Sequence, residues 1–530
     1  MNSNKRWTLA AVVLGSGIVF LDSTVVNVAL PKIGQELHSS LFGTFEAQTY
    51  VYSGYLLTLS ALLILAGALS DYYGRRKMFS LGLLGFGITS LMCGIAPNME
   101  LLILFRILQG ASGALLVPGS LSIIRATFDG EEEGRAFGIW AGATTAVTTL
   151  GPFVGGLLVD HVSWRAAFLI NPPLVALGYV ITARYVAESR DEEASRRFDW
   201  IGAVLVAAAV GGLAYGAIRG QQHQWHDATA FIALAVGGMA TVTLPFYMRK
   251  VPHPLIPPHL FRSRNFTITN ISTLLIYGAL YVLFYFVALF VQGTLGYDAS
   301  AAGLIGIPAS ILLATGSSYF GRASARYGPR LFMAAGPLIM AFGTLWFARI
   351  PAASTPWIFG TGAGESLLPP ASYLRDLLPG YLLFGIGITM LVAPLTTALM
   401  TSVPKHNAGV ASAINNAISR VGPQLAGAAI FVAIASSFYT GLAHRLPGVD
   451  TSSPQLRHDI APLNVPPPTA SAEVRVAARE ASTEAFHVAM WWAAGLLFVG
   501  TAVNAAGIQN ARPGELLVPR TSPIGSGPEA

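Results

Sequence analysis

The sequence predicts an all-α integral membrane protein of fourteen transmembrane helices, arranged as two six-helix bundles plus two inserted helices. Three observations carry that expectation. Of the 530 residues, 53% are hydrophobic and only 11% charged, with a mean hydropathy of +0.56; a water-soluble globule needs more polar surface than this, whereas a bundle bathed in lipid does not. About fourteen apolar runs, each bounded by charge or by Pro and Gly clusters, reach the roughly 20 residues that span a hydrocarbon core. A charged loop at Gly67–Lys77 has a weaker echo at Gly321–Arg330, about 250 residues later, as two homologous halves would give.

The first run, Trp7 to Leu30, follows Lys5 and Arg6 and imitates a signal peptide. It is too long for one, lacks a cleavage site and contains Asp22, so it reads as a retained first helix. The first bundle (1–190) then has helices near 8–30, 48–69, 78–96, 101–123, 136–158 and 166–187. Two additional helices near 200–218 and 229–248, with their flanking cytoplasmic loops, occupy 191–264. The second bundle (265–510) has helices near 267–292, 302–320, 331–349, 378–399, 408–437 and 485–508. Long segments at 350–377 and 438–484 carry Pro, Ser and charge and read as partly ordered outer caps, and the Pro/Gly-rich tail 511–530 reads as disordered. With both termini cytoplasmic, the even loops and the tails hold most of the 32 Lys and Arg, which satisfies the positive-inside rule.

Several function classes are excluded early. Cys93 is the only cysteine, so neither an intrachain disulfide nor a cysteine metal site can form. His223, His226, His253 and His259 lie in loops without metal-ligand spacing, and no metal is expected. No Walker-type phosphate loop is present, which argues against direct ATP drive. The net charge of +6 is spread through loops and gives no nucleic-acid face.

Three charges stand inside apolar helices: Asp22, Arg106 and, on the thirteenth, Arg420. Asp22 lies eight residues before Leu30, roughly 12 Å inside the outer end at about 1.5 Å per residue. A carboxylate in apolar surroundings is costly and holds a proton more readily than in water, which suits a proton carrier; a helix-capping Asp at the outer mouth is the plainer alternative. Arg106 lies roughly 8 Å deep on the fourth helix, close to the depth of Asp22, so the two are expected to meet unless the arginine snorkels to the headgroups. On the fifth helix Gly138 and Gly142, and again Gly151 and Gly155, have the GxxxG spacing that lets helices approach closely.

These stretches also resemble a known family. Gly67-Ala68-Leu69-Ser70-Asp71-Tyr72-Tyr73-Gly74-Arg75-Arg76-Lys77 resembles the signature loop of the major facilitator superfamily, G-x-L-a-D-r-x-G-r-(R/K). The echo loop has Ser324 or Ala325 in place of the acid. Leu21 to Pro31 is similar to the first-helix motif of fourteen-helix drug:proton antiporters, and Leu102 to Gly113 to the superfamily's fourth-helix motif. Gly142, followed by Gly151-Pro152-Phe153-Val154-Gly155-Gly156, resembles the antiporter motif found in exporters. Trp164 to Pro173 matches the start of the family's sixth helix, and Asn415, Asn416, Arg420 and Gly422 its thirteenth more loosely.

The resemblance implies the major facilitator fold and a proton-coupled efflux transporter, of the multidrug type, that exports amphiphilic or cationic small molecules by alternating access. Asp22 and Arg106 would carry the proton coupling. Gly67, Asp71, Gly74, Arg75 and Arg76 would gate the cytoplasmic side. Gly142, Gly151, Pro152, Gly155 and Gly156 would pack and bend the fifth helix against proton leak. Asn27, Tyr50, Tyr55, Gln109, Trp140, Tyr277, Tyr281, Phe284 and Gln292 are candidate substrate contacts, since aromatic cavities hold flat lipophilic cations; lipid-facing or interfacial positions are the plainer alternative. The absence of a second acid in the late helices argues against dications. The expected partners are small amphiphiles, protons and membrane lipids, in the cytoplasmic (inner) membrane. No cofactor is expected, the proton gradient being the energy source. Some relatives work with a periplasmic adaptor and an outer-membrane channel and others alone. Competing readings are a dedicated exporter of one endogenous metabolite, antibiotic or lipid, an integral membrane enzyme, and a sensor. A peptide symporter would need an E-x-x-E-R run on the first helix, which is absent.

Overall fold

The computed structural model describes residues 3–128, 131–190, 199–222, 227–252, 254–362, 364–403 and 408–510. The tail 511–530 and His223, His226 and His253 lie outside the described residues. The first half comprises α1 (Ser3–Glu36), α2 (Thr44–Tyr73), α3 (Arg75–Gly94), α4 (Met99–Gly113 continued by Leu116–Thr127), α5 (Glu131–His161) and α6 (Ala166–Leu169 continued by Asn171–Tyr185). Next come α7 (Trp200–Gln222) and α8 (Ala228–Lys250). The second half comprises α9 (Arg264–Leu289 with a π-turn at Phe290–Leu295), α10 (Ala299–Leu304 and Ile307–Tyr327), α11 (Pro329–Phe347), α12 (Tyr373–Leu377 and Leu378–Thr401), α13 (Ala408–Arg445) and α14 (Ala472–Gly507). Among the described residues, 13 helices are long and apolar enough to cross a membrane; α5, at 31 residues, completes the set.

Local chemistry sets the helix ends. Side chains of Asn98, Asp227, Ser263, Asp298 and Ser471 accept the first free N–H groups of α4, α8, α9, α10 and α14. The breaks in α4, α6 and α10 fall just ahead of Pro118, Pro172 and Pro308, whose rings cannot donate to the preceding turn. α13 runs on to Arg445 and α14 starts at Ala472, well beyond the apolar limits of 437 and 485 read from the sequence. The extra turns are stabilised in water by Arg445, which binds Glu480 and Glu484 at 2.9 and 2.6 Å.

The two halves repeat one packing pattern. α1 packs on α5 and α6, α2 on α4, and α3 on α4 and α6; α9 packs on α13 and α14, α10 on α12, and α11 on α12 and α14. The same correspondence relates the two seams between the halves, α2 with α13 and α5 with α10, as an internal repeat with a twofold axis requires. α7 and α8 form a hairpin outside both bundles, with α7 laid along α2 and α13.

The seam is closed at the end remote from the Gly67–Lys77 loop. There Asp160 accepts from the N–H groups of Ala299 and Ser300 (3.2 and 2.6 Å) and from the Ser300 hydroxyl. Gln48 donates to Asn464 at 3.1 Å, and Phe45 stacks on Phe431 with centroids 4.5 Å apart.

Candidate functional site

Asp22 sits in the middle of the first half, fully buried, and so do Arg106, Gln109 and Asn171. Nη1 of Arg106 donates to Asp22 Oδ2 and, at 2.8 Å, to Gln109 Oε1. Asp22 Oδ1 accepts from Gln109 Nε2 at 2.9 Å and from Asn171 Nδ2 at 3.0 Å. The carboxylate is therefore ringed by donors from α4 and α6, the arrangement a buried negative charge requires. The ring is itself held in place. Arg106 Nε donates to the Val51 carbonyl of α2 at 3.2 Å, and the guanidinium lies 4.1 Å from the Tyr55 ring centre and 5.7 Å from that of Phe168. Asn171 Nδ2 also donates to Ser90 Oγ at 2.9 Å, and Ser90 to the Phe168 carbonyl. Five helices (α1, α2, α3, α4 and α6) thus meet on one carboxylate.

The structure brings Asp22 and Arg106 together as an ion pair. Two other candidates join the same network in place of lining a cavity: Gln109 bonds both members of the pair, and Tyr55 lies under the guanidinium with its hydroxyl on the Val19 carbonyl. Sequence reasoning quoted Asn171 only as part of a motif and missed Ser90 altogether, which lies beside another buried hydroxyl, Thr89, on the same apolar helix.

The remaining candidates scatter. Tyr50 is buried, edge-on to Phe42, and close to Arg219 of α7, so it faces the hairpin. Gln292 is buried in the π-turn of α9, donating to the Ala288 carbonyl. Trp140 donates to Ser16 Oγ at 3.0 Å inside the first half. Asn27 faces the seam, its Nδ2 3.5 Å from the Phe284 carbonyl, and Phe284 packs edge-on against Phe384. Tyr277 is half-buried against the core between the halves; the side chain of Tyr281 lies outside the described residues.

At the signature-loop end, Gly74 adopts φ 111°, a conformation that favours glycine, and the Glu188 carboxylate sits where a Cβ would go. Glu188 accepts from the N–H groups of Arg76 and Lys77 at 3.1 and 3.2 Å, placing an anion at the N-terminus of α3. Arg76 Nη2 reaches the Ala183 carbonyl, and the Arg75 N–H donates to Ser189 O. The echo loop is built alike: Gly328 has φ 86°, Asn510 accepts from the Arg330 N–H, and Arg330 Nε reaches the Ala505 carbonyl. Both loops are thus pinned to the last helix of their own half. Gly67 packs against Pro118, and the side chain of Asp71 lies outside the described residues.

The glycines of α5 mark two contacts. A Cβ at Gly151 would strike Thr24 and one at Gly155 would strike Val25, so these two seat α5 on α1. A Cβ at Gly156 would strike Ala299 and Ser300, and one at Gly303 would strike Pro152, which seats α5 on α10 across the seam. Gly142 lies two turns earlier in the same helix.

The family profile of the Major Facilitator Superfamily matches residues 12–427. The chain is 33% identical over 423 residues to the multidrug resistance protein Stp of Mycobacterium tuberculosis, covering 80% of this chain and 74% of that one. It is 32% identical over 431 residues to the tetracenomycin C resistance and export protein of Streptomyces glaucescens (81% and 76% covered). To the puromycin resistance protein pur8 of Streptomyces alboniger it is 31% identical over 441 residues (82% of each). Among solved structures, an inward-facing, unoccupied bacterial homolog of the human lysosomal transporter Spinster superposes with a TM-score of 0.59 over 95% of this chain and 98% of that one, at 17% identity. A D-xylose-proton symporter gives 0.61 over 96% and 99%, at 14% identity. At these identities the likeness is one of fold.

Proposed function

This chain belongs to the Major Facilitator Superfamily and is a multi-pass membrane transporter, and on that footing we propose that it exports amphiphilic small molecules from the cytoplasm in exchange for protons. The observation that carries the reading is Asp22, a fully buried carboxylate whose surrounding donors come from two other helices of one half. Such a group has two stable states. Ionised, it is held by Arg106, Gln109 and Asn171; protonated, it releases the guanidinium, which still has Gln109 Oε1 and the Val51 carbonyl. A proton arriving from one side and leaving to the other then alternates the packing of α1, α2 and α4. The glycine-lined seam between α5 and α10 is the part of the interface that must part and re-form as access alternates.

The relatives support the direction of transport: one is named for tetracenomycin C resistance and export, another for multidrug resistance. In this reading the closed end faces outward and both termini lie in the cytoplasm of a cell whose cytoplasmic membrane holds the protein. The signature loops then sit on the inner face, and the proton gradient is the sole energy source, without a cofactor. The test is substrate-evoked proton movement in inside-out vesicles, comparing the native chain with Asp22→Asn at matched expression. Movement that is lost in the variant supports antiport through Asp22; movement that survives puts the coupling elsewhere.

A further inference from the structure

Among the described residues the second half buries two charges, Asp376, which Arg375 holds, and Arg420. Arg420, on α13, is 7% exposed, and among the described residues no hydrogen bond or ion pair reaches it. An unpaired guanidinium inside a membrane bundle is expensive and calls for a counter-charge.

Its position says where that counter-charge comes from. Pro423 and Gly427 of α13 line a recess at the seam together with Thr49, Tyr52 and Tyr285 of α2 and α9. Arg420 precedes these two by three and seven residues, so it projects on the same face of α13, about 4.5 Å nearer the signature-loop end. The recess is aromatic and weakly polar: Tyr52 and Tyr285 have ring centres 4.9 Å apart, and the Tyr285 hydroxyl is 3.1 Å from Thr49 Oγ1. Among the described residues no carboxylate is bonded to Arg420. Asp22 is bound to Arg106 inside the first half, and the carboxylates of the second half lie toward the closed end, with Asp376 held by Arg375 and Glu484 by Arg445.

We propose that Arg420 and the Tyr52–Tyr285 recess form a substrate subsite for an aromatic amphiphile that carries a carboxylate. The rings lie against the tyrosine pair and the oxyanion takes the planar guanidinium fork, the geometry arginine provides and lysine does not. This deepens the export reading and rests on it. It narrows the substrate class away from cations: among the described residues the seam offers a positive charge without a bonded carboxylate. Export of such an anion against an entering proton moves positive charge inward on both counts, so flux rises with an inside-negative potential.

Two dyes sharing one tricyclic core test this on the purified full-length protein in nanodiscs of neutral lipid. Fluorescein is an anion bearing a carboxylate; rhodamine 6G is an esterified cation. Fluorescence anisotropy should show fluorescein binding to the native chain and weakening about tenfold or more in Arg420→Gln, the scale of a charged hydrogen bond lost, with a smaller loss in Arg420→Lys and no loss for rhodamine. Gel filtration shows whether each variant is folded, and the lysine variant keeps the test alive if the glutamine one is not. Equal weakening of both dyes, or no preference for fluorescein in the native chain, overturns the proposal. So does phosphatidylglycerol, added to the discs, displacing fluorescein in an Arg420-dependent way, which would make a lipid headgroup the occupant. The export reading fails separately, if neither dye moves under a pH gradient in proteoliposomes; Asp22-dependent rhodamine export with no fluorescein preference sinks the subsite alone.

Discussion

Replacing Asp22 by Asn keeps the side chain's shape and removes its charge, and the surrounding geometry sets two magnitudes. The first is structural. Asp22 accepts from Arg106, Gln109 and Asn171; an amide offers one oxygen where the carboxylate offered two and turns an NH2 group toward donors. Removing one partner of a buried ion pair costs about 3–5 kcal/mol. Arg106 retains Gln109 Oε1, the Val51 carbonyl and the Tyr55 ring, so the lower figure applies, about 3 kcal/mol or roughly 6–12 °C in Tm for a bundle of this size. The second is energetic. One proton falling through one pH unit supplies about 1.4 kcal/mol, enough for a tenfold gradient of a neutral substrate. With one carboxylate in the network, the native protein in proteoliposomes at zero membrane potential should concentrate a neutral substrate about tenfold per pH unit. The variant should equilibrate it without concentrating it, and counterflow exchange should persist. A variant that still concentrates substrate would refute the assignment of the proton to Asp22. A native gradient near a hundredfold per pH unit would mean two protons per cycle and a second site.

Three further outcomes follow from contacts already described. Tyr55→Leu removes the ring under Arg106 and should lower thermal stability by about 0.5–2 kcal/mol, while Tyr55→Phe keeps the ring and loses the bond to the Val19 carbonyl; equal melting of the two would show that the ring contributes nothing. Gly156→Val places a side chain against Ala299 and Ser300 across the seam, and proton leak into pyranine-loaded liposomes without substrate should rise roughly tenfold, equivalent to about 1.4 kcal/mol off the barrier; an unchanged leak would mean that the seam does not limit it. Glu188→Ala strips the anion from the start of α3 and should cost about 0.3–1 kcal/mol at low salt, fading as salt is added. Glu188→Asn should recover part of the loss, because Asn510 fills the corresponding place in the second half; a loss insensitive to salt would contradict the electrostatic account.

Much of this architecture was legible because the membrane imposes it. Apolar length gave the helices, and the scarcity of charge inside them singled out Asp22 and Arg106, whose shared depth follows from a fixed rise per residue. What was not legible is which face meets which neighbour. Tyr50 and Tyr55 are five residues apart on α2, about 140° around the helix, so one faces Arg219 of the hairpin and the other Arg106; grouped as two aromatics on a cavity helix, they looked alike. Gly155 and Gly156 are separated by about 100°, and that step turns a contact with α1 into a contact with α10. Glu188, Asn510 and Asn171 act on partners far away in sequence, and their roles appear only once the helices are placed.

That placement has a consequence for coupling. The carboxylate network lies wholly inside the first half, whereas the Tyr52–Tyr285 recess lies between the halves. The element common to both is α2. The Val51 carbonyl is bound by Arg106, Tyr55 lies under the same guanidinium, and Thr49 and Tyr52 turn outward to Tyr285 across the seam. A proton on Asp22 removes the charge that holds Arg106, and the guanidinium's other holds, on Val51 and Tyr55, are on that helix. A change of proton state is therefore felt in α2 within one turn of the residues that meet the second half. Alternation requires no longer pathway than that, and Tyr55→Leu, which loosens the guanidinium from α2 while leaving Asp22 intact, is the substitution that separates proton binding from its effect on the seam.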